Sequence, residues 1–418
     1  MFRSLSGILF LVLFLVAEWY GFQAIRTALH GASPVARKTA DFCYWLITVL
    51  LWGIAIWAMA TRGQGHAPYK AYLTSVLLAM LVAKLVVLLF LFPEDLVRSV
   101  RWVMQRFSGQ PTNTPGTAIS RSEFISKAAL VVAAVPFVSL IWGVLKGATD
   151  YRVKRVTLRF ANLPASFDGF RLLQISDLHT GSFASTEPLQ RAVALINQQN
   201  ADLVVMTGDL VNNIATEVED HIDTLAQIQS KLQKLSILGN HDYADYVDWS
   251  DKGGAAAKTA NLDRLKQNHA KIGWKLLLDE AHHIERNGEK IAVLGIQNWG
   301  AAMRFPKYGD LAKAHAAADP GAPFKILLSH DPSHWDAQVR PEFPDVDLTL
   351  SGHTHGMQFG VNLPFFKWSP VQYVYKQWAG LYQQGKQYLY VNTGLGYIGY
   401  PGRVGFLPEI TVFELRRA

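Results

Sequence analysis

Five short apolar runs in this chain each end on a residue that can bind a metal ion, and this recurrence constrains the fold more than any other feature. Leu172-Leu173-Gln174-Ile175-Ser176 leads to Asp177-Leu178-His179, and Leu203-Val204-Val205-Met206-Thr207 leads to Gly208-Asp209. Leu235-Ser236-Ile237-Leu238 leads to Gly239-Asn240-His241-Asp242, Ile326-Leu327-Leu328-Ser329 to His330, and Leu348-Thr349-Leu350-Ser351 to Gly352-His353-Thr354-His355. In sheets fed by parallel strands, sites assemble at the carboxyl ends of the strands. Asp177, His179, Asp209, Asn240, His330, His353 and His355 can therefore converge, and seven ligands suffice for two ions. Any one of them alone would read as a cap or a satisfied polar group. Five such segments in one chain read as a site.

The sequence between these runs supports a layered α/β domain. Arg152–Leu158 partly alternates as a half-buried strand, Thr186–Gln199 carries Leu189, Val193 and Ile196 at helical spacing, and Asp220–Lys234 reads as a second amphipathic helix. This β-α-β alternation predicts a largely parallel inner sheet with covering helices. Lys252–Ala255 is expected as a flexible loop before a helix near Leu262–Asn268, with strands at Ile291–Leu294, Tyr388–Val391 and Pro408–Leu415.

At 418 residues the chain exceeds one ordinary core. Long apolar runs fill the N-terminal third, so a division is expected near residue 150: a membrane region over 1–150 and a globular domain over 151–418, a length one large core accommodates. Spans are expected at about 5–25, 42–60, 71–92 and 124–145, each near the 20 residues needed to cross a bilayer. Pro93-Glu94-Asp95 is expected to close the third, and Gln110–Gly116 to form an exposed loop. Glu18 and Lys84 interrupt the first and third spans at similar distances from their starts, each at about 2.5–3.5 kcal/mol if unpaired near the bilayer centre. They are expected to pair, the alternative being that both reach the interface.

The net charge of +7 is dispersed, with no dense basic tract, so no nucleic-acid partner is expected and the lipid bilayer is. Cys43 alone excludes an intrachain disulfide or a cysteine-rich metal site. Ser120–Lys127 has the form of a degenerate twin-arginine signal, with Ser122 where a second arginine would stand. Arg26, Arg37 and Lys38 in the first connector, with Arg98, Arg101, Arg106 and Arg121 in the third, outweigh Arg3, Arg62 and Lys70 on the opposite side. Counting positive charge thus places the connectors in the cytoplasm and the catalytic domain outside a bacterial inner membrane. Lys146, Arg152, Lys154 and Arg155 would level that count, but the last three look like part of a folded strand.

Two divalent ions about 3.5–4 Å apart need a bridging ligand, and Asp209 is the natural one. Such a pair clamps a phosphate and generates hydroxide from water, so no protein nucleophile is required. Nitrogen and oxygen ligands without thiolate suit Mn, Fe, Zn or Co. His241 adjoins a ligand yet is surplus to the metal count, which suits a general acid for the leaving group, and Asp242 is expected either to orient it or to act as a cap.

The order Asp-x-His, Gly-Asp, Gly-Asn-His-Asp, His, Gly-His-x-His resembles the calcineurin-like metallophosphoesterases, over about residues 150–418. The resemblance implies a four-layer α/β/β/α sandwich following the four spans. It assigns Asp177, His179, Asp209 and His355 to one metal and Asp209, Asn240, His330 and His353 to the other. Asn212 and Asn213 stand where many relatives carry an acid after Gly-Asp. Gln358, Gly394, Gly396, Arg403 and Pro408-Glu409 look like the membrane-anchored subgroup, similar to hydrolases of phospholipids and UDP-diacylglucosamine in lipid A synthesis. Its implied substrate is a phosphate ester or pyrophosphate, lipid-linked or nucleotide-lipid. Arg403 is expected as a surface residue or a phosphate contact, and Leu363–Trp368 as a lipid-facing lip or a core-packed loop. The alternative reading from a different class is a non-catalytic metal-binding scaffold whose spans bind a partner.

Overall fold

A computed structural model describes residues 5–61, 68–108, 121–303 and 305–418. The expected Gln110–Gly116 loop lies outside the described residues, as do Arg3 and Arg62. The chain forms two compact units, Met1–Val144 and Leu145–Ala418.

The first unit contains α1 (Leu5–Ala28), α2 (Pro34–Ala60) and α3 (Pro68–Ser108), and α4 (Arg121–Leu145) ends one residue beyond it. Pro34–Ala60, Lys70–Met104 and Ser122–Leu145 are long and apolar enough to cross a membrane. The first predicted stretch lies within α1, whose 24 residues reach about 36 Å at 1.5 Å each. Trp19, Phe42, Leu89 and Val131 are exposed on these helices, as expected where lipid is the solvent. The third helix does not stop at Pro93, contrary to expectation. Leu96, Val97, Val100, Val103, Met104 and Phe107 continue a helical stripe beyond it, and Arg98 pairs with Asp95 one turn back, so one missing N–H does not end the helix.

Glu18 and Lys84 do pair. Lys84 Nζ donates to both carboxylate oxygens at 2.7 and 2.6 Å, while Tyr44 and Thr48 hydroxyls from α2 donate to Glu18 Oε2 at 3.0 and 3.2 Å. Each charged residue is 6% exposed, so three helices jointly shield the pair.

In the second unit the strands are β1 (Arg152–Phe160), β2 (Phe170–Ile175), β3 (Leu203–Thr207), β4 (Gln233–Ile237), β5 (Lys275–Leu276), β6 (Glu280–Arg286), β7 (Glu289–Gly295), β8 (Lys325–Leu328), β9 (Leu348–Ser351), β10 (Val361–Leu363), β11 (Phe366–Trp368), β12 (Gly380–Gln384), β13 (Gln387–Val391) and β14 (Glu409–Arg417). Two six-stranded mixed sheets result, ordered β1-β14-β2-β3-β4-β5 and β12-β13-β9-β8-β7-β6, with β10-β11 a separate hairpin. β2 to β5 run parallel in the first sheet, and β7, β8, β9 and β13 in the second.

Side-chain alternation sorts these strands into layers. Leu172, Leu203, Val205, Leu235 and Ile237 from the first sheet meet Ile291, Val293, Ile326, Leu328, Leu348 and Leu350 from the second in one central core. Their neighbours Leu173, Ile175, Val204 and Met206 face outward toward α5 (Glu187–Asn197), α6 (Ile222–Ala226) and α7 (Gly254–Ile272). Ala292, Leu294 and Leu327 face α8 (Leu311–Ala316) and the helical turn Trp335–Val339. The fold is therefore the expected α/β/β/α sandwich.

Two local expectations are corrected. Asp220–Lys234 is not one helix but a 3₁₀ turn over Ala215–His221, then short α6, then an extended return into β4. Asn197 Oδ1 accepts from Gln229 N, and Ala201 and Asp202 carbonyls accept from Lys231 and Leu232, so tertiary bonds outcompete helical ones. The loop expected at Lys252–Ala255 is a tight turn with Gly253 at φ 95°, from which α7 extends well beyond Leu262–Asn268 through its alanines.

Candidate dimetal centre

All seven predicted ligands follow parallel strands: β2, β3 and β4 in one sheet, β8 and β9 in the other. In-register pairing of Ile175 with Met206, Thr207 with Ile237 and Leu328 with Leu350 brings the strand ends level. The glycines before the ligands answer to close packing. A Cβ on Gly239 would stand 2.2 Å from Asp209 Oδ1, and one on Gly352 2.2 Å from Asp177 Oδ2. Asp177, His179, Asp209, His353 and His355 themselves have φ between 48° and 74°, a region costly for residues with a Cβ. Tight turns here aim side chains back over the sheet ends.

The side chains form two groups. Asp177, His179 and His355 offer ligand atoms close together: His355 Nε2 is 3.0 Å from His179 Nε2 and 3.3 Å from Asp177 Oδ1. Asp209, His330 and His353 form the second group, with His330 Nε2 3.2 Å from Asp209 Oδ2. Asn240 Oδ1 joins it, 2.7 Å from His353 Nδ1. Asp209 Oδ2 also lies 3.5 Å from His179 Nε2, so one carboxylate oxygen borders both groups.

These residues fit a pair of divalent ions. Donors bound at about 2.0–2.2 Å and near right angles to one another stand about 3 Å apart, the spacing seen here. Neighbouring groups fix the donor atoms. His330 Nδ1 meets the Thr207 carbonyl at 2.6 Å, which turns Nε2 inward. Asn240 Nδ2 donates to Tyr246 at 2.8 Å, which turns Oδ1 inward. His353 Nε2 meets the Tyr375 hydroxyl at 2.7 Å, and Tyr375 in turn donates to Asp331 at 3.4 Å. The mixed nitrogen and oxygen donor set without thiolate is one that Mn, Fe, Zn and Co share. Burial favours the neutral acid at Asp177 and Asp209, but His355 beside the first and His330 and His241 beside the second hold both carboxyls well below their usual range. Burial likewise opposes charge on His330, yet Asp209 and then Asp177 raise it to about 10.

His241 lies beside these groups, its ring 5.0 Å from that of His179 and 4.6 Å from Tyr246. The bond that orients it comes from the Asn212 carbonyl, 2.7 Å from Nδ1, and not from Asp242. Asp242 is fully buried, and its two oxygens accept from four backbone N–H groups: Leu210 (2.9 Å) and Val211 (3.2 Å) on one, Gly239 (2.8 Å) and Asp209 (3.0 Å) on the other. Neither alternative describes it fully: the bond from Gly239 N is of the cap type, the other three clasp the loop after Asp209, and a carboxylate with all four acceptor sites engaged has none left for an imidazole.

Arg403 is neither a surface residue nor poised for a substrate. It is 1% exposed, donates to the Gly396 and Phe406 carbonyls, and places Nη2 3.1 Å from His355 Nδ1. Burial lowers its pKa to about 10, which leaves it cationic near neutral pH. Asn212, Tyr246, Asp331, Tyr375 and Arg403 thus support the centre without having been identified as doing so. Asp331 adjoins a ligand and Tyr246 lies four residues beyond Asp242, both legible clues. Tyr375 and the Asn212 carbonyl have no local signal.

Comparison with known proteins agrees with this geometry. Residues 3–148 match the family described as "Probable Calcineurin-like phosphoesterase, transmembrane domain", and residues 170–357 match "Calcineurin-like phosphoesterase". A "Transmembrane protein with metallophosphoesterase domain" of Danio rerio is 32% identical over 296 residues, covering 69% of this chain and 62% of that protein. The "UDP-2,3-diacylglucosamine pyrophosphatase LpxG" of Chlamydia muridarum is 25% identical over 322 residues, covering 68% and 94%. The "Uncharacterized metallophosphoesterase YkuE" of Bacillus subtilis (strain 168) is 34% identical over 269 residues, covering 62% of this chain and 84% of its own. An alignment that takes in most of the Bacillus protein, together with a matched segment that contains every ligand, places this membrane-anchored chain in the calcineurin-like metallophosphoesterases.

Proposed function

We propose that the protein hydrolyses a phosphate ester or pyrophosphate bond of a lipid-linked substrate. The observation that carries the hydrolytic reading is Asp209, whose Oδ2 borders ligand groups drawn from both sheets. Two divalent ions held there supply Lewis acidity toward phosphoryl oxygens and lower the pKa of a bound water. His241 serves as general acid: the Asn212 carbonyl holds its Nδ1–H and leaves Nε2 to protonate the departing oxygen. Membrane spans in the same chain support a lipid-linked substrate, as does the name of the Chlamydia relative.

Full-length protein in detergent, supplied with manganese, should release nitrophenolate from bis(p-nitrophenyl) phosphate, and Asp209→Asn should not. Turnover by Asp209→Asn equal to wild type would refute the reading. Positive-charge counting supports a catalytic unit outside the cytoplasm. Lys154 pairs with Glu409 at 2.5 Å and Arg155 bonds to Gln199 at 2.8 Å from within the folded strand β1, so they are discounted as topology signals. Alkaline phosphatase fused after Leu145 should then be active; an inactive fusion, with a cytoplasm-dependent fluorescent protein bright at the same junction, would reverse the assignment.

A further inference from the structure

Between the predicted ligand His355 and the supporting Tyr375, the chain projects the hairpin β10–β11, whose apolar face is left exposed. Register pairs Val361 with Trp368 and Leu363 with Phe366, so these four share one face, while Asn362 and Lys367 share the other. In a hairpin packed on a soluble domain the apolar face turns inward. Here the apolar face does not: Asn362 and Lys367 are exposed too, and the tie to the protein from the polar face is Lys367, whose amine donates to the Ala379 carbonyl and lies 4.4 Å from the Trp378 ring centre. Val361, Leu363 and Phe366 are left exposed, and Phe365 at the tip is 87% exposed. Tyr373, 76% exposed, extends the patch through a 3.3 Å bond from Trp368, and Met357 and Val374 are exposed on the same stretch of chain. A contiguous apolar surface of this kind marks an interaction site.

The root of the hairpin shows which surface it meets. Gly360 N donates to the Val404 carbonyl at 3.0 Å, and Val404 N donates to Gln358 at 2.8 Å. The preceding residue, Arg403, packs its carbonyl so closely on Gly147 that a Cβ there would lie 2.1 Å away. Gly147 is two residues beyond the end of α4, a segment long and apolar enough to span a bilayer. At about 3.3–3.6 Å per residue, the hairpin root is held roughly 10 Å from the point where the chain leaves its last span.

We propose that the hairpin 361–368, with Met357, Tyr373 and Val374, docks into the interfacial layer of the bilayer that anchors the chain. Aromatic side chains favour that layer, and the Lys367 amine, bonded to the Ala379 carbonyl, ties the opposite face of the hairpin to the protein. Resting on the lipid-linked reading above, the docked hairpin delivers substrate to the metal centre without its release into water.

The docking is tested in full-length protein carrying Cys43→Ser, so that Phe365→Cys is the only cysteine and takes an environment-sensitive fluorophore. In nanodiscs of phosphatidylethanolamine and phosphatidylglycerol, acyl-brominated lipid should quench this probe and aqueous iodide should not. A probe on Gln383→Cys, an exposed polar position, should behave in the opposite way. Iodide quenching at 365 equal to that at 383 overturns the proposal, as does shielding from both quenchers, which would indicate a protein partner or a second copy. Delivery is read with vesicles containing diacylglycerol nitrophenyl phosphate. Phe365→Asp should slow release from them about tenfold, the factor associated with one buried aromatic side chain, and leave bis(p-nitrophenyl) phosphate unaffected. Equal losses on the two substrates overturn delivery. If wild type hydrolyses neither, the hydrolase reading fails, and quenching still decides the docking.

Discussion

Replacing Asp242 by Asn tests what this carboxylate does. The substitution keeps the shape and removes one acceptor oxygen. Whichever way the amide lies, its carbonyl keeps two of the four backbone N–H bonds and its NH₂ confronts the other two. Two buried donors left unpaired cost about 1–3 kcal/mol each, so the loss is about 2–6 kcal/mol. That is a large part of the roughly 5–15 kcal/mol that holds a domain together. For the unit Leu145–Ala418, a little longer than the domains for which about 2–4 °C per kcal/mol holds, melting should fall by at most about 4–24 °C. The donors belong to the loops that carry Asp209 and Asn240, so metal retained after dialysis should fall too. Full-length Asp242→Asn in detergent would be followed by near-ultraviolet circular dichroism on heating and by elemental analysis, beside His241→Ala, which removes no such clasp. A variant that melts with wild type, keeps its metal and loses turnover only on poor leaving groups would refute the clasp and return Asp242 to orienting His241.

Asp209→Asn should lose metal from both groups and all turnover, whereas Asn240→Ala should lose chiefly one ion, seen as a metal stoichiometry closer to one than to two. His241→Ala should hold its metal and slow phenyl phosphate esters far more than nitrophenyl esters, whose leaving group hardly needs a proton; equal losses would remove it from the acid role. In the membrane unit, Lys84→Met leaves Glu18 buried without its partner and should cost about 3–5 kcal/mol, read as lost folded yield and lower melting temperature. The double change Glu18→Leu with Lys84→Met should recover most of it, and a double variant as unstable as the single would refute the pairing as the cause.

The predicted ligands were legible because their positions obey backbone rules. A ligand at the end of a parallel strand needs a buried apolar run before it and, where two turns cross closely, a glycine, and both are written into the sequence at Gly239 and Gly352. What was not legible depends on distant partners. Arg403 looks like any arginine after a proline-glycine turn until the Gly396 and Phe406 carbonyls and His355 surround it. Tyr375 reaches His353 only because the hairpin returns the chain to the site. Local rules also failed where longer-range terms won: Pro93 did not end a helix whose apolar stripe continues past it, and Asp220–Lys234 gave up helical bonds for bonds to Asn197, Ala201 and Asp202.

The same arrangement explains how the fold sustains a site that is locally unfavourable. Five predicted ligands hold positive φ, at about 1–3 kcal/mol each, and two buried carboxylates stand among clustered imidazoles. Neither strain nor charge could persist on mobile loops. The turns here are short extensions of β2, β3, β4, β8 and β9, all packed in the core shared by the two sheets, and their geometry is over-determined. Arg403 extends that rigidity from the predicted ligand His355 to Gly147, where the chain enters the catalytic unit as a close-packed segment. A side chain at Gly147 must therefore displace the Arg403 backbone, and through it His355, which makes the point of entry from the membrane and the metal centre parts of one packed structure.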